Sequence, residues 1–271
     1  MKQKIEVQGH RGARTVLPEN TLAAFEYAMQ IGVDTLELDL GVTADDVVVV
    51  VHDQKINQTL YQYLDGSQIE HSKWLHEMTL DEVKTIDCGA KVNPRFPNQT
   101  LRPHSRIPTL DEVFNLVSNS THPNANTILF NIETKSDPRN PKAQPEPKRF
   151  VELIMAQINK YNFGARTTIQ SFDHRTLRAA KEFAPEIQLS ALFDSAPTDW
   201  VNAAKEAMAD IVSPNYKVID QDSVTKMQAA GLKVIPWTAN TEQDWLRLVE
   251  FGVDGIISDD PKSLIEFLSS Q

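Results

Sequence analysis

Short apolar runs recur along this chain, and stretches of helical spacing separate most of them; that alternation restricts the fold more than any other feature. The runs lie at Ile5–Gly9, around Leu36–Leu40, at Val47–Val51, Thr127–Glu133, Thr167–Ser171, Ile187–Phe193, Asp210–Ser213, Leu232–Trp237 and Gly255–Ser258. Helical periodicity marks Leu22–Ile31, Leu110–Val117, Phe150–Ile158, His174–Phe183, Thr198–Ala209, Ser223–Ala230 and Glu242–Phe251, with Gly32, Gly231 and Gly252 at expected C-termini. Strands that alternate with helices build a parallel α/β sheet. No dinucleotide fingerprint or P-loop pattern appears, and the unusual residues sit at the C-terminal ends of the runs. That favours a (β/α)8 TIM barrel over an open doubly wound sheet. Nine runs compete for eight barrel places, and the link between the second and third is too short for a crossover helix. Either it crosses back as bare loop, giving an irregular barrel, or those two runs form a hairpin.

At 271 residues the chain suits a single barrel domain, 1–271, since such barrels are commonly this long. Residues 54–108 break the pattern: they are polar, aromatic and Pro-rich, with one helix expected at Thr79–Ile86 on a Thr79/Glu82 capping box. So long a stretch without strong periodicity reads as a small cap subdomain inserted between the third strand and the following helix. Hydrophobic residues make up 41% of the chain, enough for a full core, and the formal net charge of −10 argues against nucleic acid as a partner. The one cysteine, Cys88, excludes an intrachain disulfide and leaves the compartment open. No run approaches the ~18 apolar residues of a membrane span. Met1–Val7 is too short and polar for a signal peptide. The expectation is therefore a cytoplasmic protein as written, or a periplasmic or secreted one if a leader was removed. The oligomeric state is not legible.

In a parallel barrel all strand ends meet on one face. Here that face offers His10 and Arg11, Glu37 and Asp39, His52 and Asp53, Glu133 and Lys135, Gln170 and Phe172, Asn215, Trp237 and Asn240, and Asp259. Glu37 and Asp39 alternate with Leu36, Leu38 and Leu40, so both carboxylates face one way. Adjacent carboxylates repel, and a cation between them relieves the repulsion. Three carboxylates without cysteine suit a hard cation, Mg²⁺ or Ca²⁺, better than zinc. Two histidines supply a general acid and a general base, and Arg11 and Lys135 can neutralise phosphoryl oxygens. Together these are the parts of phosphodiester cleavage. The remaining histidines, His174 among them, read as solvent-facing.

The ordered motifs HRG (His10–Gly12), PENT (Pro18–Thr21), ELD (Glu37–Asp39), VHD (Val51–Asp53), IETK (Ile132–Lys135), QSF (Gln170–Phe172), PWTAN (Pro236–Asn240) and DGIISD (Asp254–Asp259) resemble the glycerophosphodiester phosphodiesterases over nearly the whole chain. The resemblance implies a metal-dependent barrel that hydrolyses glycerophosphodiesters, such as glycerophosphocholine or glycerophosphoethanolamine, to sn-glycerol 3-phosphate and an alcohol. It implies Glu37, Asp39 and Glu133 as metal ligands and His10 and His52 as the acid–base pair. Arg11 and Lys135 would bind phosphate, and Phe172 and Trp237 would wall the glycerol. The chain departs from the family pattern at Asn57–Gln58–Thr59, where an Arg before a Thr pair is frequent, and at Ala239, where Val is frequent. Both departures bear on substrate contacts. A lysophospholipase D or sphingomyelinase D-like enzyme is the alternative on the same site; it needs an apolar groove, for which Tyr61, Tyr63, Trp74 and Leu75 are the candidates.

Overall fold

The computed structural model describes residues 4–271, so the first three residues of the Met1–Val7 segment lie outside the described residues. The chain runs β1 (Glu6–Gly9), α1 (Leu22–Ile31), β2 (Thr35–Val42) and β3 (Val48–Val50), then an insertion, then α3 (Leu110–Ser118). Within the insertion lie β4 (Lys55–Ile56), β5 (Gln62–Tyr63), β6 (Lys73–Trp74), α2 (Leu80–Val83) and β7 (Ile86–Asp87). Regular alternation resumes with β8 (Leu129–Thr134), α4 (Pro147–Tyr161), β9 (Thr167–Ser171), α5 (His174–Phe183), β10 (Gln188–Phe193) and α6 (Trp200–Ala207). It ends with β11 (Ile211–Pro214), α7 (Gln221–Ala229), β12 (Lys233–Val234), α8 (Glu242–Phe251), β13 (Gly255–Ser258) and α9 (Pro261–Ser269). The last helix is not among those the periodicity predicted, and α2 is shorter than its expected span.

Eight parallel strands pair in the order β12-β11-β10-β9-β8-β2-β1-β13. The Ile257 N–H donates to Pro236 O at 3.0 Å and the Ala239 N–H to Ile257 O at 3.2 Å, which joins the two ends into a barrel. The ninth run takes the hairpin alternative: β3 pairs with β2, antiparallel, with Leu40 opposite Val50, and its other edge meets Pro108–Thr109. β3 is buried on both faces because Val48 and Val50 join the barrel's core while Val49 joins a second cluster inside the insertion. That second cluster includes Ile56, Tyr61, Leu75, Val83 and Ile86. Two small antiparallel pairings, β4 with β6 and β5 with β7, frame it. Thr79 caps α2 and Thr109 caps α3, each by a complete capping box.

The main core lies between strands and helices. Leu36, Leu38 and Leu40 point outward from β2 and are fully buried against that layer, whereas the barrel interior combines a polar side with a small apolar cluster of Ile211, Ile235 and Ile257. There Asn131 Nδ2 donates to Gln8 Oε1 at 2.7 Å, and Thr168 Oγ1 to Gln188 Oε1 at 2.9 Å. Phe130 of β8 sits in an aromatic nest, with ring centroids 4.9 Å from Phe114 and 5.1 Å from Phe163. Phe130→Ala should cost about 4 kcal/mol, the usual loss for a buried aromatic whose cavity cannot collapse. Urea melts monitored by circular dichroism test this; a loss under about 1 kcal/mol would contradict the packing. Among the described residues no helix is long and apolar enough to cross a membrane.

Candidate active site

Register across β2 and β8 builds the centre of the site. Parallel pairing sets Asp39 beside Glu133 and Glu37 beside Asn131, and the period of two turns all four inward. One carboxylate oxygen from each of Glu37, Asp39 and Glu133 lies within 4.8 Å of the others, and all three residues are buried. Burial and the charges of Asp39 and Glu133 push the Glu37 carboxyl well above the ordinary range. Burial also raises Glu133, against the opposing pull of Lys135. Asp39 moves the other way: burial would raise it, but Arg11 and Lys135 outweigh that and hold it low. Among the described residues Asp39 Oδ1 accepts no hydrogen bond, and Lys135 Nζ is 3.5 Å away. A buried oxygen left in this state, inside a cluster of hard oxygen donors, fits a divalent cation of the Mg²⁺ or Ca²⁺ class.

The turn after β1 delivers the next groups. Arg11 has φ of 52° and Gly12 of 91°, two left-handed residues in succession. A side chain at Gly12 would meet Ala24 Cβ at 2.7 Å, so only glycine fits. The turn lets the Arg11 N–H donate to Glu37 Oε2 at 2.9 Å while its guanidinium reaches Glu19 Oε1 at 2.6 Å and lies 3.1 Å from Asp39 Oδ2. Lys135, one residue beyond β8, donates to Glu133 Oε1 at 2.7 Å. Both cations stand beside the carboxylate cluster.

Each of the two histidines is fixed through Nδ1 by a carboxylate. His10 Nδ1 is 2.5 Å from Asp259 Oδ1, leaving Nε2 3.9 Å from Glu37 Oε2. Asp259, at the end of β13, is itself held by Asn240, whose Nδ2 donates at 2.7 Å and whose Oδ1 accepts the Asp259 N–H at 2.8 Å. Burial pushes the His10 imidazole down to about 4, although Asp259 opposes the shift. His52 Nδ1 is 2.9 Å from Asp53 Oδ1, and Asn57 Nδ2 donates to Asp53 Oδ2 at 3.1 Å. Burial would raise Asp53, but its hydrogen bonds with His52 and Asn57 outweigh that and hold it low. The His52 side chain is 33% exposed against 13% for His10, so the two imidazoles sit at different depths.

His10, Arg11, Glu37, His52, Glu133, Lys135, Phe172 and Trp237 all line one cleft of about 280 Å³, and Asp39 lies sealed beneath it. Phe172 and Trp237 meet edge to face with centroids 5.5 Å apart and give one wall an apolar surface. Asn20 escapes sequence reasoning as a site residue, and Gln170 is placed on this face by the sequence without a partner. Asn20 Nδ2 donates to Asp39 Oδ2 at 2.8 Å, and Gln170 Nε2 to Glu37 Oε1 at 2.7 Å, orienting two of the carboxylates. Asn20 belongs to PENT and Gln170 to QSF, so their positions are visible in the chain but their partners are not. His174 differs from expectation: it is half-buried, with its ring against Phe193 and its Nε2 3.3 Å from Leu192 O.

A profile of the Glycerophosphoryl diester phosphodiesterase family matches residues 10–263. A glycerophosphodiester phosphodiesterase of Caldanaerobacter subterraneus subsp. tengcongensis is 35% identical over 265 residues, covering 98% of each chain. A protein of the same name from Bacillus subtilis is 28% identical over 265 residues, covering 95% of this chain and 84% of its own. A solved structure from Silicibacter pomeroyi superposes with a TM-score of 0.92 at 28% identity, covering 100% of this chain and 95% of that one. An Oleispira antarctica phosphodiesterase in complex with the product sn-glycerol-3-phosphate superposes with a TM-score of 0.80 at 22% identity, covering 97% and 96%, and shares the fold. With a barrel, a cleft at its strand ends and a match spanning almost all its length, this chain belongs to the glycerophosphoryl diester phosphodiesterase family and is a phosphodiester-hydrolysing enzyme.

Proposed function

We propose that the enzyme cleaves small glycerophosphodiesters, such as glycerophosphocholine and glycerophosphoethanolamine, to sn-glycerol 3-phosphate and an alcohol, in a reaction that depends on a divalent cation and two histidines. One observation carries the reading: two imidazoles, each oriented by a carboxylate, share a cleft with a cation pair and a buried carboxylate cluster. Glu37, Asp39 and Glu133 would hold the cation, which acts when bound as a Lewis acid on the phosphoryl group. Arg11 and Lys135 neutralise phosphoryl oxygens as charge develops on them. His10, kept neutral by burial, takes the proton from the attacking hydroxyl at Nε2. That hydroxyl is water, which gives glycerol 3-phosphate directly, or the glycerol 2-hydroxyl, which gives a cyclic phosphate first. Water then opens the cyclic phosphate to glycerol 3-phosphate by attack on phosphorus with departure of the 2-oxygen. As the attacking oxygen bonds to phosphorus, the bond from phosphorus to the leaving oxygen breaks. The more exposed His52, oriented through Nδ1 by Asp53, gives that oxygen a proton. Phe172 and Trp237 wall the glycerol carbons. The Oleispira antarctica complex with sn-glycerol-3-phosphate, in a barrel of the same fold, accords with this product.

A human relative named lysophospholipase D is 24% identical over 287 residues. Here, however, Tyr61 and Leu75 are packed in the core of the insertion, and the exposed Tyr63 lines a separate cleft that shares no residue with that of the site. Release of glycerol 3-phosphate from glycerophosphocholine, glycerophosphoethanolamine and lysophosphatidylcholine, each with Mg²⁺ and with Ca²⁺, tests the reading. Small diesters should be turned over about 100-fold faster than the lysolipid, the discrimination expected when an acyl chain finds no pocket. Faster turnover of the lysolipid would overturn the substrate assignment.

A further inference from the structure

We propose that Arg95, standing beside Arg14 at the rim of the cleft, makes the alcohol side of the site cationic, so that the enzyme selects diesters whose leaving alcohol is anionic over those whose alcohol is an ammonium. The inference rests on the phosphodiesterase reading above and adds the class of alcohol.

Arg95 comes from the insertion, far in sequence from the strand ends, yet it lines the same cleft as His10, Arg11, Glu37 and Lys135. Its place is set by docking of its segment onto the β1–α1 loop. The Thr100 N–H donates to Val16 O at 2.8 Å, Gln99 Nε2 donates to Leu17 O at 3.1 Å and also to Arg14 O, and Asn93 Nδ2 lies 3.3 Å from Glu19 Oε2. The Phe96 ring takes both guanidinium groups, with Arg14 Cζ 4.7 Å and Arg95 Cζ 5.8 Å from its centroid. Cation–π contact of this kind holds an arginine without consuming its charge.

The two arginines differ in what remains for a ligand. Arg14 is buried and paired, with Nη2 2.8 Å from Glu19 Oε2 and Nε 3.6 Å from Asp259 Oδ1. Arg11 and Lys135 are likewise paired with carboxylates. Arg95 is exposed, and among the described residues it forms no ion pair. Its charge is therefore free to meet a substrate. The carboxylates lining the cleft are already engaged: Glu133 with Lys135, Glu37 with the Arg11 N–H and Gln170, and Asp259 with His10 and Asn240. With the glycerol carbons against Phe172 and Trp237, the alcohol would lie on the insertion side of the cleft, where an ammonium would stand near Arg95 with no free acid to offset the repulsion. An alcohol bearing a carboxylate or phosphate would find a donor fork suited to it. This local preference runs against the acidic balance of the whole chain, whose net charge is −10.

An exposed pairing in water changes kcat/KM by about fivefold per charge, because solvent and salt screen it. The test compares glycerophosphoinositol phosphate, glycerophosphoglycerol and glycerophosphocholine as anionic, neutral and cationic probes, for the wild type, Arg95→Ala and Arg95→Glu. Each rate is taken relative to glycerophosphoglycerol in the same variant, so loss of folded enzyme cancels. The wild type should favour the anionic probe over the cationic one. Arg95→Ala should lower that ratio about fivefold, Arg95→Glu should lower it further, and about 0.5 M salt should erase the difference. A ratio that stays within about twofold of wild type in both variants overturns the proposal while leaving the phosphodiesterase reading intact. A wild type that turns over none of the three probes overturns both.

Discussion

Replacing His10 by alanine should lower kcat/KM on glycerophosphodiesters about 1,000-fold or more, and His52→Ala should do the same, because each removes one arm of a proton transfer that contributes about 10²–10⁴-fold. Loss of fold would not explain the deficit. Asp259 keeps Asn240 and Arg14 when His10 is gone, so no carboxylate is stranded in the interior. His52 is a third exposed, and Asp53 keeps Asn57. Circular dichroism melts run beside steady-state kinetics separate the two causes; near-wild-type turnover in either variant sinks the two-histidine scheme. The pH profile adds a readout. His10 titrates in the folded enzyme at about 4, so an acid limb of kcat/KM due to this base lies well below the ordinary histidine range. Asp259 raises the His10 pKa, so Asp259→Asn should move that limb lower still while slowing turnover through loss of the Nδ1 anchor. The linkage has a definite sign. Between 6.5 and about 4 the unfolded chain binds a proton at His10 that the folded chain does not, so this group's contribution to stability falls as pH drops through that window.

The barrel was legible because its apolar side chains obey two periods. Leu36, Leu38 and Leu40 alternate with Thr35, Glu37 and Asp39, and the outward leucines needed a helical layer to cover them. The gathering of the candidate site residues in one cleft was legible for a related reason: acids, histidines and cations ended apolar runs, and parallel strands bring such ends together. What stayed hidden depends on contacts between distant segments. Nothing local tells that Asp259 anchors His10 across 249 positions, or that Gln170 reaches Glu37 across 133. The hairpin path of β3 was one of two open alternatives, since Val47–Val51 would suit a barrel strand equally well; its burial between two clusters explains the apolar run without a barrel place. For Tyr61 and Leu75 the sequence left a groove open beside the favoured reading of simple packing, because the insertion showed no periodicity. They are the core of a small unit too short-stranded to display one. The final helix, α9, was missed behind Pro261, which sits at its first turn where proline is tolerated.

Dialysis against EDTA should abolish turnover, and adding back Mg²⁺ or Ca²⁺ should restore it; activity undiminished by chelation would remove the cation from the scheme. Three carboxylates whose oxygens converge within 4.8 Å, in residues at most 7% exposed, repel one another in a medium that screens poorly. The repulsion raises the Glu37 carboxyl well above its ordinary range, and Arg11 and Lys135 offset part of it. A bound divalent ion replaces that arrangement. Because it binds the folded state alone, about 100 Kd of it should stabilise by about 2.7 kcal/mol. For a chain of this size that raises Tm by roughly 5–10 °C. Glu37→Gln or Glu133→Gln should remove most of the shift, a readout independent of catalysis. Asp39→Asn tests a different point, since Asp39 also faces Arg11 at 3.1 Å and that variant should weaken phosphate positioning as well as the cation. The sign of the pH dependence follows from Glu37, whose carboxyl is raised above the ordinary range and serves as a ligand in its ionised form. Affinity should therefore rise with pH until that raised pKa is passed, and binding should release a proton below it. Calorimetry in buffers of different ionisation enthalpy measures the proton directly; binding that released none at neutral pH would mean that Glu37 is already ionised, or that it does not hold the ion.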